Sequence, residues 1–215
     1  MLQLAQFTFN PFMENTYVVY LPQGEAWIID PGCSTRAEEK TLEDFIRKNE
    51  LNVTRLINTH CHIDHVLGNY FVKNKFHVPL YLHTLEEAVL RSVKLYAPMY
   101  GFAAYQETEP DGYLSEEDVL ELEHHQLKII FVPGHSPGHI ALYYEQGGWL
   151  LGGDVLFDGS IGRTDLPGGD FDTLIKSIHE KLFVLPDPTI VHCGHGPSTT
   201  IGKEKRTNPF CALTT

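Results

Sequence analysis

The stretch Thr59-His60-Cys61-His62-Ile63-Asp64-His65 decides how this chain is read. It carries the pattern HxHxDH, four candidate metal ligands in six residues, directly after an apolar run ending at Asn58 that reads as a strand. Core packing does not produce such a cluster. Imidazole and carboxylate donors have to converge within about 2.0 to 2.2 Å of a divalent ion. A loop can aim alternate side chains to one side while the Asp-His pair points elsewhere, so this spacing suits two adjacent metals better than one.

Working outward, the same placement recurs. The strand Leu127 to Val132 runs into Pro133-Gly134-His135-Ser136-Pro137-Gly138-His139, whose glycines permit the tight backbone needed to turn an imidazole inward. The strand Trp149 to Leu151 leads through two glycines to Asp154, and Thr189 to His192 leads to Cys193-Gly194-His195. Four strand ends therefore deliver His and Asp, where sites in α/β sheets are expected. The remaining periodicity predicts strands at Leu2 to Phe9, Thr16 to Leu21, Ala26 to Asp30 and Ile140 to Tyr144, with helices at Ala37 to Asn49 and Phe171 to Leu182. Two similar halves without a residue-level repeat are expected within a single domain, residues 1–215. A helical, aromatic-rich insertion at about 84–124 holds Tyr96, Tyr100, Phe102 and Tyr105 and reads as a lid or a contact face.

Composition narrows the partners. Sixteen Lys and Arg stand against 28 Asp and Glu, a net charge of −12 with no basic run, which argues against nucleic acid because phosphates require a basic face. No apolar run approaches the roughly 20 residues that span a bilayer, and the start MLQLAQFTFNPF has no positive n-region, so no membrane partner and a cytoplasmic location are expected. Cys33, Cys61, Cys193 and Cys211 show no CxxC spacing, which leaves neither a disulfide framework nor a thiolate zinc site. Cys61, between two ligands, is expected to point away from them. Of the 12 His, numbers 77, 83, 124, 125, 179 and 192 lie away from the four loops and are expected to be structural or surface residues.

HxHxDH at 60–65 followed in order by His135, Asp154 and His195 resembles the metallo-β-lactamase-fold superfamily over most of the chain. The resemblance implies an α/β four-layer αββα sandwich with a dinuclear metal site. It would place His60, His62 and His135 on one ion and Asp64, His65 and His195 on the second. Asp154 would bridge them, with Asp64 and Asp154 as the catalytic carboxylates. Asp30, in Ile29-Asp30-Pro31-Gly32, matches an acidic position that supports a ligand from behind, and His139 is close enough in sequence to line the site. Asp30 also reads simply as an Asp closing a strand at a Pro-Gly turn.

Two ions sharing a carboxylate lower the pKa of water toward ~7 and position an electrophile, so the set is built for hydrolysis. No separate general acid stands out, which suits a leaving group such as a thiolate, with a pKa near 8.5. The segments Gly153 to Asp165 and Thr199 to Phe210 resemble hydroxyacylglutathione hydrolase (glyoxalase II), which implies thioester hydrolysis on a small-molecule substrate, with Arg163 contacting the glutathione moiety. The match departs at Pro197, where that family has an aromatic residue, and beyond Phe210, where it continues into a helical domain. The likeness is therefore to the short, single-domain members. Zinc is the first expectation for the two divalent ions, with iron or manganese as alternatives. The rival reading is a mononuclear iron persulfide dioxygenase, which the Gly162-Arg163-Thr164-Asp165 run also resembles. A non-catalytic metal-binding or interaction protein, homodimeric through its aromatic stretch, is the reading from a different class.

Overall fold

The computed structural model describes residues 1–213. In chain order, β1 (Gln3–Phe9), β2 (Glu14–Tyr20) and β3 (Glu25–Ile29) lead to α1 (Arg36–Lys48), β4 (Asn52–Ile57), α2 (Ile63–Val66), α3 (Asn69–Phe76), β5 (Leu80–Leu82), α4 (Glu87–Tyr96) and β6 (Gly112–Tyr113). Then follow β7 (Val119–Leu122), β8 (His125–Phe131), β9 (Ile140–Tyr144), β10 (Trp149–Gly153), β11 (Leu156–Phe157), β12 (Ser160–Ile161), α5 (Phe171–Ser177), β13 (Ile190–Cys193), β14 (Thr199–Thr200) and α6 (Ile201–Thr207). Two compact units divide them. One is Met1–Leu114 with Glu121–His125; the other is Ser115–Leu120 with the chain from Gln126 onward.

The first sheet has the order β1-β2-β3-β4-β5-β6, antiparallel across β1, β2 and β3 and parallel from β3 to β6. Strand β2, ENTYVVY, is buried throughout, and Val18, Ile28, Leu56 and Leu80 join Leu42 and Ile46 of α1 in this unit's core. Leu42 and Ile46 are four apart, so they share the helix face that covers the sheet. Helix α1 starts at a capping box in which Thr35 and Glu38 satisfy each other's backbone N–H groups. The second sheet runs β14-β13-β10-β9-β8-β7, with β10 and β13 parallel. Its core gathers Val132, Leu150, Val155, Leu174, Ile178, Val191 and Ile201.

Three local expectations change. The helix expected over Phe171 to Leu182 is α5 up to Ser177, and Ile178–Leu182 continues as a wider turn. Asp64 and His65 lie in the one-turn helix α2 rather than in open loop, because the His65 N–H already bonds back to the His62 carbonyl at 3.1 Å. The 84–124 segment is helical only in α4 and its flanking turns. Its aromatics Tyr96, Phe102 and Tyr105 pack against the first unit's core. Among the described residues no helix is long and apolar enough to cross a membrane.

Candidate metal centre

The candidate ligands fall into two groups, one in each unit. In the first, β3 ends beside β4, and both strands deliver their next residues to the same edge. Asp30 has a left-handed backbone, φ +49, which turns its carboxylate back toward β4. There the carboxylate accepts the Thr59 N–H at 2.7 Å and the Thr59 hydroxyl at 2.5 Å, and its Oδ2 lies 3.3 Å from Nδ1 of His65. The rings of His60 and His65 are 4.1 Å apart and those of His60 and His62 4.9 Å. On the other edge of the His65 ring, Nε2 is 3.7 Å from the Asp64 carboxylate. Donor atoms of Asp30, His60 and His65 lie within 4.8 Å of one another. His60, His65 and Asp30 are buried.

The backbone of this loop is held by side chains the sequence reading missed. Asn58 donates to the His65 carbonyl at 3.2 Å and exchanges amide hydrogen bonds with Asn69. The buried Glu86 accepts the N–H of Cys61 at 2.8 Å, between the two histidines. Asn10 donates to the carbonyls of Gly32 and Asp64, both at 3.0 Å. Glu14 is fully buried near His65. None of these carried a signal in the sequence, and the strand expected from Thr16 begins only after Glu14. Burial pushes the Cys61 thiol far above its ordinary pKa, as expected of a packing residue and not of a nucleophile.

In the second unit Asp154 follows β10, and its Oδ2 lies 3.6 Å from Nε2 of His135 and 3.4 Å from Nε2 of His195. One carboxylate thus serves two imidazoles. Nδ1 of His135 is 2.8 Å from the Arg163 carbonyl. A carbonyl only accepts, so Nδ1 carries the proton and Nε2 keeps its lone pair for a ligand. His139 accepts the Asp154 N–H at Nε2, 3.0 Å away. Two glycines make this geometry attainable. A Cβ on Gly162 would come to 1.9 Å from the Asp154 carbonyl, and one on Gly134, at φ +130, to 2.3 Å from the Leu174 nitrogen. Arg163 holds Asp165 through two 2.7 Å hydrogen bonds, which draw the Asp165 carboxyl down to about 2.

Elsewhere His83, His179 and His192 serve as local hydrogen-bond partners of Leu85, Cys211 and Ser198. The donor set fits divalent ions. Buried imidazoles and carboxylates are costly unless they are paired or ligate a metal, and neutral imidazole with carboxylate suits zinc, iron or manganese.

Residues 9–195 match the Metallo-beta-lactamase superfamily. The chain belongs to that superfamily. It is 38% identical over 201 residues to hydroxyacylglutathione hydrolase GloC of Haemophilus influenzae, covering 93% of each chain. Among solved structures it superposes on the BLEG-1 B3 metallo-beta-lactamase with a TM-score of 0.89, 37% identity, and 98% and 100% of the two chains covered. On TTHA1623 in a di-iron-bound form the values are 0.84, 37%, and 96% and 99%. The metallo-β-lactamase fold read from the motif order is therefore that of this chain, a metal-dependent hydrolase with His and Asp clusters suited to divalent ions.

Proposed function

We propose that the chain hydrolyses small-molecule thioesters in the manner of a hydroxyacylglutathione hydrolase. In this reading two divalent ions, zinc first, would be held by His60, His62 and His135 and by Asp64, His65 and His195, with Asp154 shared. The observation that carries it is the Asp154 carboxylate, whose one oxygen stands within 3.6 Å of two imidazole Nε2 atoms, as a carboxylate shared by two ions requires. When bound, the ions supply Lewis acidity to the substrate carbonyl and to the attacking water.

The chain's own residues orient and hold. Arg163 keeps the Nδ1 proton of His135 through its backbone, and His139 anchors Asp154 through its N–H. Asp30 fixes Thr59, and with it the start of the ligand loop. In the reaction a C–O bond forms to water, the C–S bond breaks and the pair leaves on sulfur as a thiolate, so no protein acid has to face the leaving group. Recognition of a glutathione carboxylate by the Arg163 side chain has to displace Asp165, and we assign the guanidinium to this role only by exchange between the two carboxylates.

Elemental analysis of protein purified without added metal, followed by a substrate panel, tests the proposal. Close to two ions per chain and turnover of S-lactoylglutathione or another thioester are expected, with loss of turnover in Asp64→Asn and His135→Ala. A single iron with oxygen uptake on glutathione persulfide replaces the reading by the dioxygenase. Turnover confined to a cephalosporin replaces it by β-lactam hydrolysis.

A further inference from the structure

Glu14 opens strand β2, and its side chain is completely buried. Its Oε2 accepts the Thr16 hydroxyl at 2.9 Å, and Thr16 Oγ1 in turn accepts the Gly32 N–H at 2.9 Å. Its Oε1 has no hydrogen-bond partner among the described residues and lies 3.9 Å from Nδ1 of His65. Asp30 Oδ2 approaches the same nitrogen at 3.3 Å. Two buried carboxyl groups therefore flank one edge of a single imidazole.

This arrangement is expensive for a strand residue whose neighbours are Thr16, Tyr17 and Val18, since a buried carboxyl without full hydrogen bonding costs stability. The backbone also makes room for it. A Cβ at Gly32 would stand 2.0 Å from Glu14 Oε2, so the Pro31-Gly32 turn can lie against the carboxyl only without a side chain. Asp30 alone already satisfies the two donors of Thr59, which leaves its Oδ2 divided between Thr59 and His65.

We infer that Glu14 is a positioning residue for His65: together with Asp30 it holds the Nδ1 edge of the ring and leaves Nε2, on the Asp64 side, as the ligating nitrogen. This rests on the reading that His65 holds a metal. Partners behind metal-bound histidines fix tautomer and orientation, and their removal typically costs about 10–100-fold in metal affinity. Glu14 acts at one remove and touches no substrate.

The test is zinc affinity by competition with a chromophoric chelator, together with nitrogen-15 NMR of the His65 ring in the metal-free protein. Glu14→Leu is expected to weaken one of two zinc ions about 10–100-fold and to turn a single His65 tautomer into a mixture. Glu14→Gln, which keeps an acceptor oxygen in place, is expected to restore most of both. If Glu14→Leu does not fold, Thr16→Val frees the carboxyl without altering it, and a several-fold loss of affinity is expected. Wild-type zinc affinity and an unchanged tautomer in a folded variant overturn the inference. Wild-type protein that takes up no zinc overturns the metal reading instead, and the tautomer in metal-free protein still decides the role of Glu14.

Discussion

At the scale of single residues, the candidate centre depends as much on what is missing from certain side chains as on the ligands. Gly162 is the sharpest case. Its Cα sits so close beneath Asp154 and His135 that an added methyl would meet the Asp154 carbonyl at 1.9 Å and His135 Nδ1 at 3.0 Å. Neither contact is with the loose end of a flexible chain, so the backbone has to move. Gly162→Ala is expected to cost about 1–3 kcal/mol of stability, as overpacking does. A ligand displaced by about 1 Å lowers turnover on the order of 100-fold. Denaturant unfolding beside kcat/KM checks both, and a folded variant with wild-type turnover removes the constraint assigned to this glycine. The candidate ligands were legible as candidates, because His and Asp in HxHxDH and at three further strand ends are an improbable core. Glu14, Glu86 and Gly162 were not, since their roles come from contacts 25 or more residues away or from a backbone approach that no local pattern encodes.

At the scale of elements, β3, β4, β8, β10 and β13 are each followed within a few residues by candidate donors. Periodicity found several of the strands to within a few residues, but it missed β7, which lies in the stretch assigned to the insertion, and the short β5, β6, β11, β12 and β14, whose two or three residues carry no period. It placed a helix at Ala37 to Asn49, and the structure adds what holds its start. The Glu38 carboxylate there accepts from the N–H groups of Asn10, Ser34 and Thr35 and from the hydroxyls of Ser34 and Thr35. It therefore ties the helix start to the turn whose Asn10 holds the Asp64 carbonyl. Burial raises the Glu38 pKa, yet the hydrogen bonds from Ser34, Asn10 and Thr35 outweigh it and hold the carboxyl below its ordinary value. A carboxyl lowered in the folded state contributes stability that is complete above its unfolded pKa and is lost as pH falls through the folded one. Glu38→Gln is thus expected to lower stability by about 1 kcal/mol at pH 7. The difference from wild type should shrink below about pH 4.5, the end of the unfolded carboxyl's range. Melting temperatures measured from pH 7 down to pH 3 check it, and a difference that stays constant across that range contradicts the assignment.

At the scale of the whole molecule, the chain divides into two units, and each carries candidate ligands of its own. His60, His62, Asp64 and His65 come from one unit and His135, Asp154 and His195 from the other. The unfolded chain holds none of these side chains in place, so an ion that binds the native loops stabilises the native state by mass action. At free metal about 100 times its dissociation constant the gain is about 2.7 kcal/mol. For a chain of this length each kcal/mol moves the midpoint by about 2–4 °C, so each bound ion is expected to raise the melting temperature by about 5–11 °C over the chelated protein. Loading His60→Ala and His195→Ala variants in the same way separates the two proposed ions, because His60 belongs to the set with His62 and His135 and His195 to the set with Asp64 and His65. Each single variant is expected to lose part of the shift and the double variant nearly all of it. A chelated protein that has lost its metal but melts where the loaded one does contradicts the assignment of the ions to loops that folding builds.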